Sequence, residues 1–365
     1  MPPRPSPKIT VKPVRHSYFS RIVETLGRKD LDRLKIHMLR RALKYAFEGS
    51  AHYKAAFKDA RLDLSKIRTL EDWTQVPVLS RFEVSFSQTS WPPFGDLLCL
   101  KEQQISMTVM TSGTLGRPVL VPLTENDTTS YCGPDCELWN RAIHAIGPCS
   151  DDIVQSTWTH AQDAWSASSL SFTRRRPGLP FILSGGASVE QQLGLMERLK
   201  TTILLTDPVT CTQLGNMLSG LSSKERERFK LRAVIVSGQG KNRPSWDIFG
   251  EDLEHLEIAY AAETGILGYE CQVHNGLHVP EDHLFVEVLD SDGAPVALGE
   301  KGELVVTTLR REAMPFIRYR LGDIGSVTTD PCPCGRTHMM LKGIFGKAAP
   351  RNIVDLAADK KREQD

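Results

Sequence analysis

Thr111-Ser112-Gly113-Thr114-Leu115-Gly116-Arg117-Pro118 is the stretch on which the reading of this chain turns. Two glycines, three hydroxyl side chains and one cation fall within eight residues. Before it, Ile105-Ser106-Met107-Thr108-Val109-Met110 alternates apolar and polar, the pattern of a half-buried strand. After it, Val119-Leu120-Val121-Pro122-Leu123 is a second strand candidate. The stretch is therefore a Gly-rich loop between two strands, with its exit fixed by Pro118. Backbone N–H groups and hydroxyls in such a loop can surround a phosphate chain. No Gly-Lys-Ser/Thr opens a helix here, so this is not a Walker A loop. The glycines do not sit at a strand-to-helix turn, so it is not the dinucleotide-binding fingerprint either. The residues alone leave a second reading open, a polar hairpin tip with no ligand.

Downstream the chain alternates. Residues 124–144 read as helical, interrupted by Gly133-Pro134. Asp152-Ile153-Val154-Gln155-Ser156-Thr157 reads as a strand, and Phe181-Ile182-Leu183-Ser184-Gly185-Gly186 as a strand and turn. Residues 189–199 read as a helix, 201–206 as a strand, 211–221 as a helix and 231–238 as a buried-type strand. This order predicts a mostly parallel α/β sheet. Ligands of such sheets sit beyond the carboxyl ends of the strands, where Ser237-Gly238-Gln239-Gly240 lies. The loop from Trp158 through His160 to Trp165 could line an aromatic-friendly pocket or be an ordinary connection with packed tryptophans. From Leu284 the pattern changes. Phe285-Val286-Glu287-Val288-Leu289, the turn Asp290-Ser291-Asp292-Gly293, Pro295-Val296 and Gly302-Glu303-Leu304-Val305-Val306-Thr307-Thr308 predict an antiparallel β subdomain.

Upstream, Asp30 is placed to cap a helix whose apolar face runs through Leu31, Leu34, Met38, Leu39, Ala42, Leu43, Ala46 and Phe47. Arg33, Lys35, Arg40, Arg41 and Lys44 would form its solvated face. Leu70-Glu71-Asp72-Trp73 suggests a short helix, and Ser80 caps another that begins at Arg81. The domain boundaries predicted are a flexible arm over 1–16, an α/β large domain over 17–283, the β subdomain over 284–346 and a charged tail over 347–365.

Composition narrows the function classes. A chain of 365 residues with 40% hydrophobic content can bury a sizeable core. A net charge of +1 and scattered aromatics argue against a nucleic-acid partner. No apolar run is long enough to cross a bilayer, and the start, Met1-Pro2-Pro3-Arg4-Pro5-Ser6-Pro7, has no apolar segment behind it to make a secretory signal. Eight dispersed cysteines in a chain of this length predict reduced thiols and a cytoplasmic protein. Cys132 and Cys136 are expected to be core cysteines.

The Gly-rich loop resembles the phosphate loop of adenylate-forming enzymes. Glu270-Cys271, Gly276-Leu277-His278-Val279-Pro280-Glu281-Asp282-His283, the block 311–323 and Pro331-Cys332-Pro333-Cys334-Gly335-Arg336-Thr337-His338 narrow the resemblance to the phenylacetate–coenzyme A ligase branch. It runs from about Leu70 to Gly346. The resemblance implies the large-domain fold of that superfamily and activation of a carboxylic acid, aryl or arylacetic, by ATP and Mg²⁺ as an acyl-adenylate. The acyl group would then pass to coenzyme A or another nucleophile. It also implies site roles. Thr111, Ser112, Gly113 and Thr114 would hold the ATP phosphates, with Arg117 as the loop cation. Ser237 and Gly238 would lie against adenine. Glu263 would position Mg²⁺, Asp323 would accept both ribose hydroxyls, and Arg320 is a further candidate near the nucleotide. A homodimer is implied as well.

A second constellation points to metal. Cys332 and Cys334 with Cys271 and His278 form a set of three thiols and one imidazole suited to a closed tetrahedral Zn²⁺ site that staples subdomains. His274, His283 and His338 compete for the fourth place, and free surface thiols are the competing reading.

The chain departs from the resemblance in three places. Arg117 stands where lysine is usual, keeping charge but not the compact ammonium. The usual Tyr-Gly-x-Thr-Glu block reads Ala259-Tyr260-Ala261-Ala262-Glu263. Phe345-Gly346-Lys347-Ala348-Ala349-Pro350 stands where a hinge to a small C-terminal domain is expected, and a charged tail follows. That leaves two further expectations: a partner that supplies the C-terminal function, or a non-catalytic ligand-binding homologue.

Overall fold

The computed structural model describes residues 18–111, 118–128, 134–158, 180–237, 246–249 and 253–348. Two short strands, β1 (Met107–Met110) and β2 (Leu120–Leu123), pair antiparallel and flank the Gly-rich stretch, of which residues 112–117 lie outside the described residues. The main sheet is built from β3 (Val154–Ser156), β4 (Phe181–Leu183), β5 (Ile203–Thr206), β6 (Ala233–Ser237), β7 (Glu254–Ala261), β8 (Gly265–Tyr269), β9 (Leu277–His278), β10 (Leu284–Leu289), β11 (Gly302–Thr308), β12 (Tyr319–Thr328) and β13 (Met340–Lys347). Its order is β10-β11-β12-β13-β9-β8-β7-β6-β5-β3-β4. The half from β4 to β7 is parallel. The half from β7 to β10 is antiparallel, and the two halves are hydrogen-bonded into one sheet through β8 and β9. Antiparallel pairing thus begins at Gly265, ahead of the pattern change at Leu284.

The parallel strands are buried on both faces, as their unbroken apolar runs require. Ile203, Leu205, Ala233 and Ile235 pack with Trp139, Ile143 and Trp158 on one side. Leu204, Val234 and Val236 pack with Met196, Cys211 and Leu214 on the other. Trp158 is therefore core, set against Trp139 at 5.8 Å between ring centroids. His160 and Trp165 lie outside the described residues, as does Cys132, and the side chain of Cys136 is not described.

Local signals fix the helices. Ser188 with Gln191 and Ser80 with Glu83 form capping boxes at the starts of the Val189–Leu199 and Arg81–Ser90 helices. Asp207 caps the Pro208–Ser219 helix, which opens three residues earlier than its apolar pattern suggests. Pro134 likewise opens the Pro134–His144 helix. Two expectations for the first long helix are corrected. It spans Arg28–Gly49 with Gly27 at its N-cap, so Asp30 sits in the first turn and caps nothing. Lys35 is not on a solvated face: it is buried and ion-paired at 2.8 Å with Glu281, a buried carboxylate that Arg28 also meets at 2.6 Å. Pro295-Val296 contributes one isolated bridge to Leu289 and no strand.

Candidate active site and candidate metal centre

The site begins at the neck of the Gly-rich stretch. The Thr111 N–H donates to the Val119 carbonyl at 3.0 Å, and the Val119 N–H donates to Thr111 Oγ1 at 2.9 Å. Arg81 Nη2 donates to the same hydroxyl oxygen at 2.8 Å. A threonine hydroxyl has two acceptor lone pairs and one hydrogen. With both lone pairs engaged, the Thr111 hydroxyl is left as a donor.

Arg81 also reaches Glu263, Nη1 to Oε1 at 3.3 Å. Glu263 lies in the turn between β7 and β8 and is buried. The Tyr319 hydroxyl at the start of β12 donates to the same Oε1 at 2.9 Å. Burial, then the charge of Glu263, pushes the Tyr319 phenol well above its ordinary range, which keeps it a proton donor. Among the described residues no hydrogen bond reaches Glu263 Oε2, so one carboxylate oxygen is held and the other is offered. The fold thus brings Thr111 and Glu263 into one network through two residues whose role the sequence did not disclose, Arg81 and Tyr319. Arg81 was visible only as the start of a helix, since its partners are 30 and 182 residues away in the chain.

Asp323 lies four residues beyond Tyr319 on β12, a span of at most about 13 Å along an extended strand. Its carboxylate pairs with Lys347 Nζ at 2.8 Å, with side chains 21% and 56% exposed. Arg320 is buried and ion-paired with Glu303 on the neighbouring β11. Ser237 closes β6 at its carboxyl end, opposite Ile258. Ser112, Gly113, Thr114, Arg117 and Gly238 lie outside the described residues.

The cysteine cluster assembles at the far end of the antiparallel half. Cys271 follows β8, His278 lies on β9, and Cys332 and Cys334 occupy the turn between β12 and β13. Their ligand atoms all lie within 4.8 Å of one another and all four residues are buried, which removes the reading as surface thiols. Cys271 Sγ is 3.7 Å from Cys332 Sγ, and Cys334 Sγ is 3.3 Å from His278 Nε2. Tetrahedral zinc with Zn–S near 2.3 Å spaces its sulfurs by about 3.8 Å, so the donor set fits the ion. The Arg336 N–H donates to Cys334 Sγ at 3.4 Å. The hydrogen bond with Cys271, then His278, holds the Cys334 thiol well below its ordinary range against the opposing effect of burial. The same hydrogen bond pushes Cys271 up. Among the described residues His278 Nδ1 is buried with no hydrogen-bond partner, so the ring's polar contact is on the thiol side. The three competing histidines go elsewhere. His274 pairs with Glu270 at 3.3 Å and stacks on His255. His338 contacts the Val279 and Val23 carbonyls, each at 3.1 Å.

His283 joins a second buried group. Its Nε2 is 3.1 Å from Glu137, and Asp282 is held by a two-pronged contact from Arg141 at 2.7 and 2.6 Å. Arg310 reaches Glu137 at 3.0 Å. Burial pushes the Asp282 carboxyl up, but His283 and Arg141 outweigh it and hold it far below the ordinary range. With two guanidinium groups already on these carboxylates, the group is a closed ion-pair network.

The mixed α/β fold, with one large mixed sheet and one small antiparallel sheet, matches that of solved adenylate-forming ligases. Within that class the chain is phenylacetate–coenzyme A ligase-like in sequence. It is 26% identical over 340 residues to the phenylacetate–coenzyme A ligase of Thermus thermophilus, covering 91% of this chain and 74% of that protein. To the Escherichia coli enzyme of the same name it is 25% identical over 312 residues, covering 83% and 68%. A crystal structure of 2-hydroxyisobutyryl-CoA ligase in complex with 2-HIB-AMP and CoA matches with a TM-score of 0.79 at 24% identity, covering 90% of this chain and 71% of that one. An open conformation of the same ligase matches with a TM-score of 0.79 over 94% of this chain at 22% identity. At these identities the structural likeness establishes the fold. No family model matches the chain.

Proposed function

We propose that the protein activates a carboxylic acid with ATP as an acyl-adenylate and passes the acyl group to coenzyme A or another nucleophile. The observation that carries this reading is the link between Thr111, at the neck of the Gly-rich stretch, and Glu263 through one guanidinium. The curated relatives, named as phenylacetate–coenzyme A ligases, favour an aryl or arylacetic acid.

In this reading Thr111 donates its hydroxyl hydrogen to a phosphate oxygen, and Ser112, Gly113, Thr114 and Arg117 complete the phosphate loop. Ser237 and Gly238 lie against adenine. Asp323 takes the ribose diol, since one carboxylate has an acceptor for each hydroxyl. Its pair with Lys347 is half-solvated and worth ~0–1 kcal/mol, so the diol can displace the lysine. Glu263 Oε2 is the oxygen that would hold Mg²⁺, which when bound neutralises charge on the phosphate oxygens. Such chemistry depends on preorganised charge rather than on a protein nucleophile. Cys271, His278, Cys332 and Cys334 would hold a structural Zn²⁺ with no open position.

ATP–pyrophosphate exchange with a panel of aryl and alkyl acids tests the reading. Exchange with at least one acid is expected. Asp323→Ala should raise the KM for ATP by roughly a hundredfold or more, the cost of two hydrogen bonds to a charged acceptor at ~1.5 kcal/mol or more each. Nucleotide binding without exchange for any acid would point instead to a ligand-binding homologue, and absence of both would end the proposal.

A further inference from the structure

We infer that Arg81 is a positioning residue for this site, tying the threonine at the neck of the Gly-rich stretch to the acid that would hold Mg²⁺. The inference rests on the adenylation reading given above.

The placement of Arg81 is over-determined by backbone. Ser80 caps its helix through Glu83, with the Ser80 N–H to Glu83 Oε2 distance at 2.8 Å. Immediately before the cap, Leu79 is laced to the start of β12. Its N–H donates to the Arg318 carbonyl and its carbonyl accepts from the Arg320 N–H, each at 2.9 Å. Arg81 therefore leaves the backbone at a fixed position beside Tyr319, the other donor to Glu263. Its two terminal nitrogens diverge, one to Thr111 and one to Glu263. Only a planar fork can hold two acceptors in fixed relation; an ammonium is a point donor.

The charge has a consequence of its own. Arg81 and Tyr319 both donate to Oε1, which engages that oxygen and leaves Oε2 without a hydrogen bond among the described residues. Arg81 retains 26% side-chain exposure while Glu263 retains 8%, so the guanidinium forms the open edge of the network rather than its core. A cation at that edge, beside the neck of a phosphate-binding loop, lowers the cost of bringing a triphosphate next to Glu263.

The test is equilibrium binding of ATP across a Mg²⁺ titration, read calorimetrically, with exchange measured alongside. The chains compared are wild type, Arg81→Met, Arg81→Lys, Glu263→Gln and the Arg81→Met/Glu263→Gln double variant. Arg81→Met is expected to weaken Mg·ATP binding at least tenfold and to raise the half-saturating Mg²⁺ concentration. Arg81→Lys should recover part of the affinity but not the Mg²⁺ midpoint. In the Glu263→Gln background the Arg81→Met change should cost less than threefold further, because the two residues act through one linkage. Additive losses in the double variant, or an Arg81→Lys chain equal to wild type, would overturn the inference while leaving the adenylation reading intact. Should Arg81→Met fail to fold, Arg81→Lys and Glu263→Gln with their double variant give the same comparison. A wild-type chain that binds no Mg·ATP overturns both.

Discussion

Arg318 shows how much of the fold a single side chain can join. It adopts a left-handed backbone conformation, with φ at 47°, which a non-glycine residue holds only under strong local constraint. The constraint is its own guanidinium. Nε and Nη2 bracket Glu287 at 3.1 and 2.9 Å, and Nη1 donates to the carbonyls of Thr74 and Val76 at 3.0 and 2.6 Å. One side chain thus joins β10, the entry to β12 and the turn before the Arg81–Ser90 helix. Arg318→Ala leaves Glu287 as an uncompensated buried charge and is expected to cost about 3–5 kcal/mol. Urea unfolding checks this, and a change below about 1 kcal/mol would contradict the assignment. The sequence presented Arg318 inside the block 311–323 that carries the resemblance to a nucleotide-binding family. Nothing there distinguished it from Arg320, whose guanidinium is likewise held by a buried glutamate. The partners of both arginines lie in other elements, 17 to 244 residues away in the chain. A resemblance to a family motif singles out Asp323 and Glu263 as candidates in the sequence. It does not single out Arg81 and Tyr319, because only the fold makes them neighbours.

At the scale of elements, what was legible follows from how local the signal is. The capping boxes at Ser80 and Ser188 and the apolar runs of β5 and β6 carry their instructions within a few residues, and those elements form where the pattern puts them. β12 and β13 were not drawn from periodicity. Gly322, Gly325, Gly343 and Gly346 interrupt the alternation, and the pairing of the two strands shifts register at two places. Gly322 has φ at 72°, which a strand reading would not expect. The parallel half depends on a less visible device. Asp152, just before β3, accepts the Cys149 N–H at 2.8 Å, the Thr202 hydroxyl at 2.8 Å and the Arg232 guanidinium at 2.8 Å, so one carboxylate aligns the entries of three neighbouring strands. Burial pushes this carboxyl up, but Arg232 and the Cys149 N–H outweigh it and hold it down at about 2. Because the folded-state value is depressed, the stabilisation is complete above about pH 4 and is lost as pH falls toward 2. A shift of this size corresponds to about 2 kcal/mol. Asp152→Asn should therefore lower stability at pH 6 by about that amount and by much less at pH 2.5, read as urea midpoints at the two pH values. Equal losses at both pH values would show that the carboxylate's charge is not what aligns the strands.

On the scale of the whole molecule, the cysteine cluster connects parts that are far apart in sequence. Cys271 and His278 flank the step from β8 to β9, and Cys332 and Cys334 join β12 to β13. The segment 18–26 is laid over the same turn. The Tyr18 hydroxyl donates to the Cys334 carbonyl at 2.6 Å, Thr337 N–H and Oγ1 donate to the Glu24 and Leu26 carbonyls at 3.0 and 2.6 Å, and His338 Nε2 meets the Val23 carbonyl at 3.1 Å. Arg336 lies over the Tyr18 ring at 4.9 Å and pairs with the fully buried Glu24 at 2.7 Å. The turn thus carries two of the candidate metal ligands and is the platform for the first described segment, so loss of a bound metal should be felt at residues 18–26 as well as at the sheet. Elemental analysis of protein purified without chelator is expected to find one zinc per chain. Cys334→Ser should lose it and lower the thermal midpoint by roughly 3 °C or more, as even ~2 kcal/mol of lost stabilisation would produce in a chain of this length. Trypsin should then cut faster after Arg21, inside the segment, and after Arg28, just beyond it. The two readouts separate the possibilities. Zinc lost with no change in cleavage would mean that Glu24 and Arg336 hold the segment without help from the metal. No zinc in the wild-type protein, with Cys334→Ser as stable as its parent, would mean that the four side chains are simply packed together.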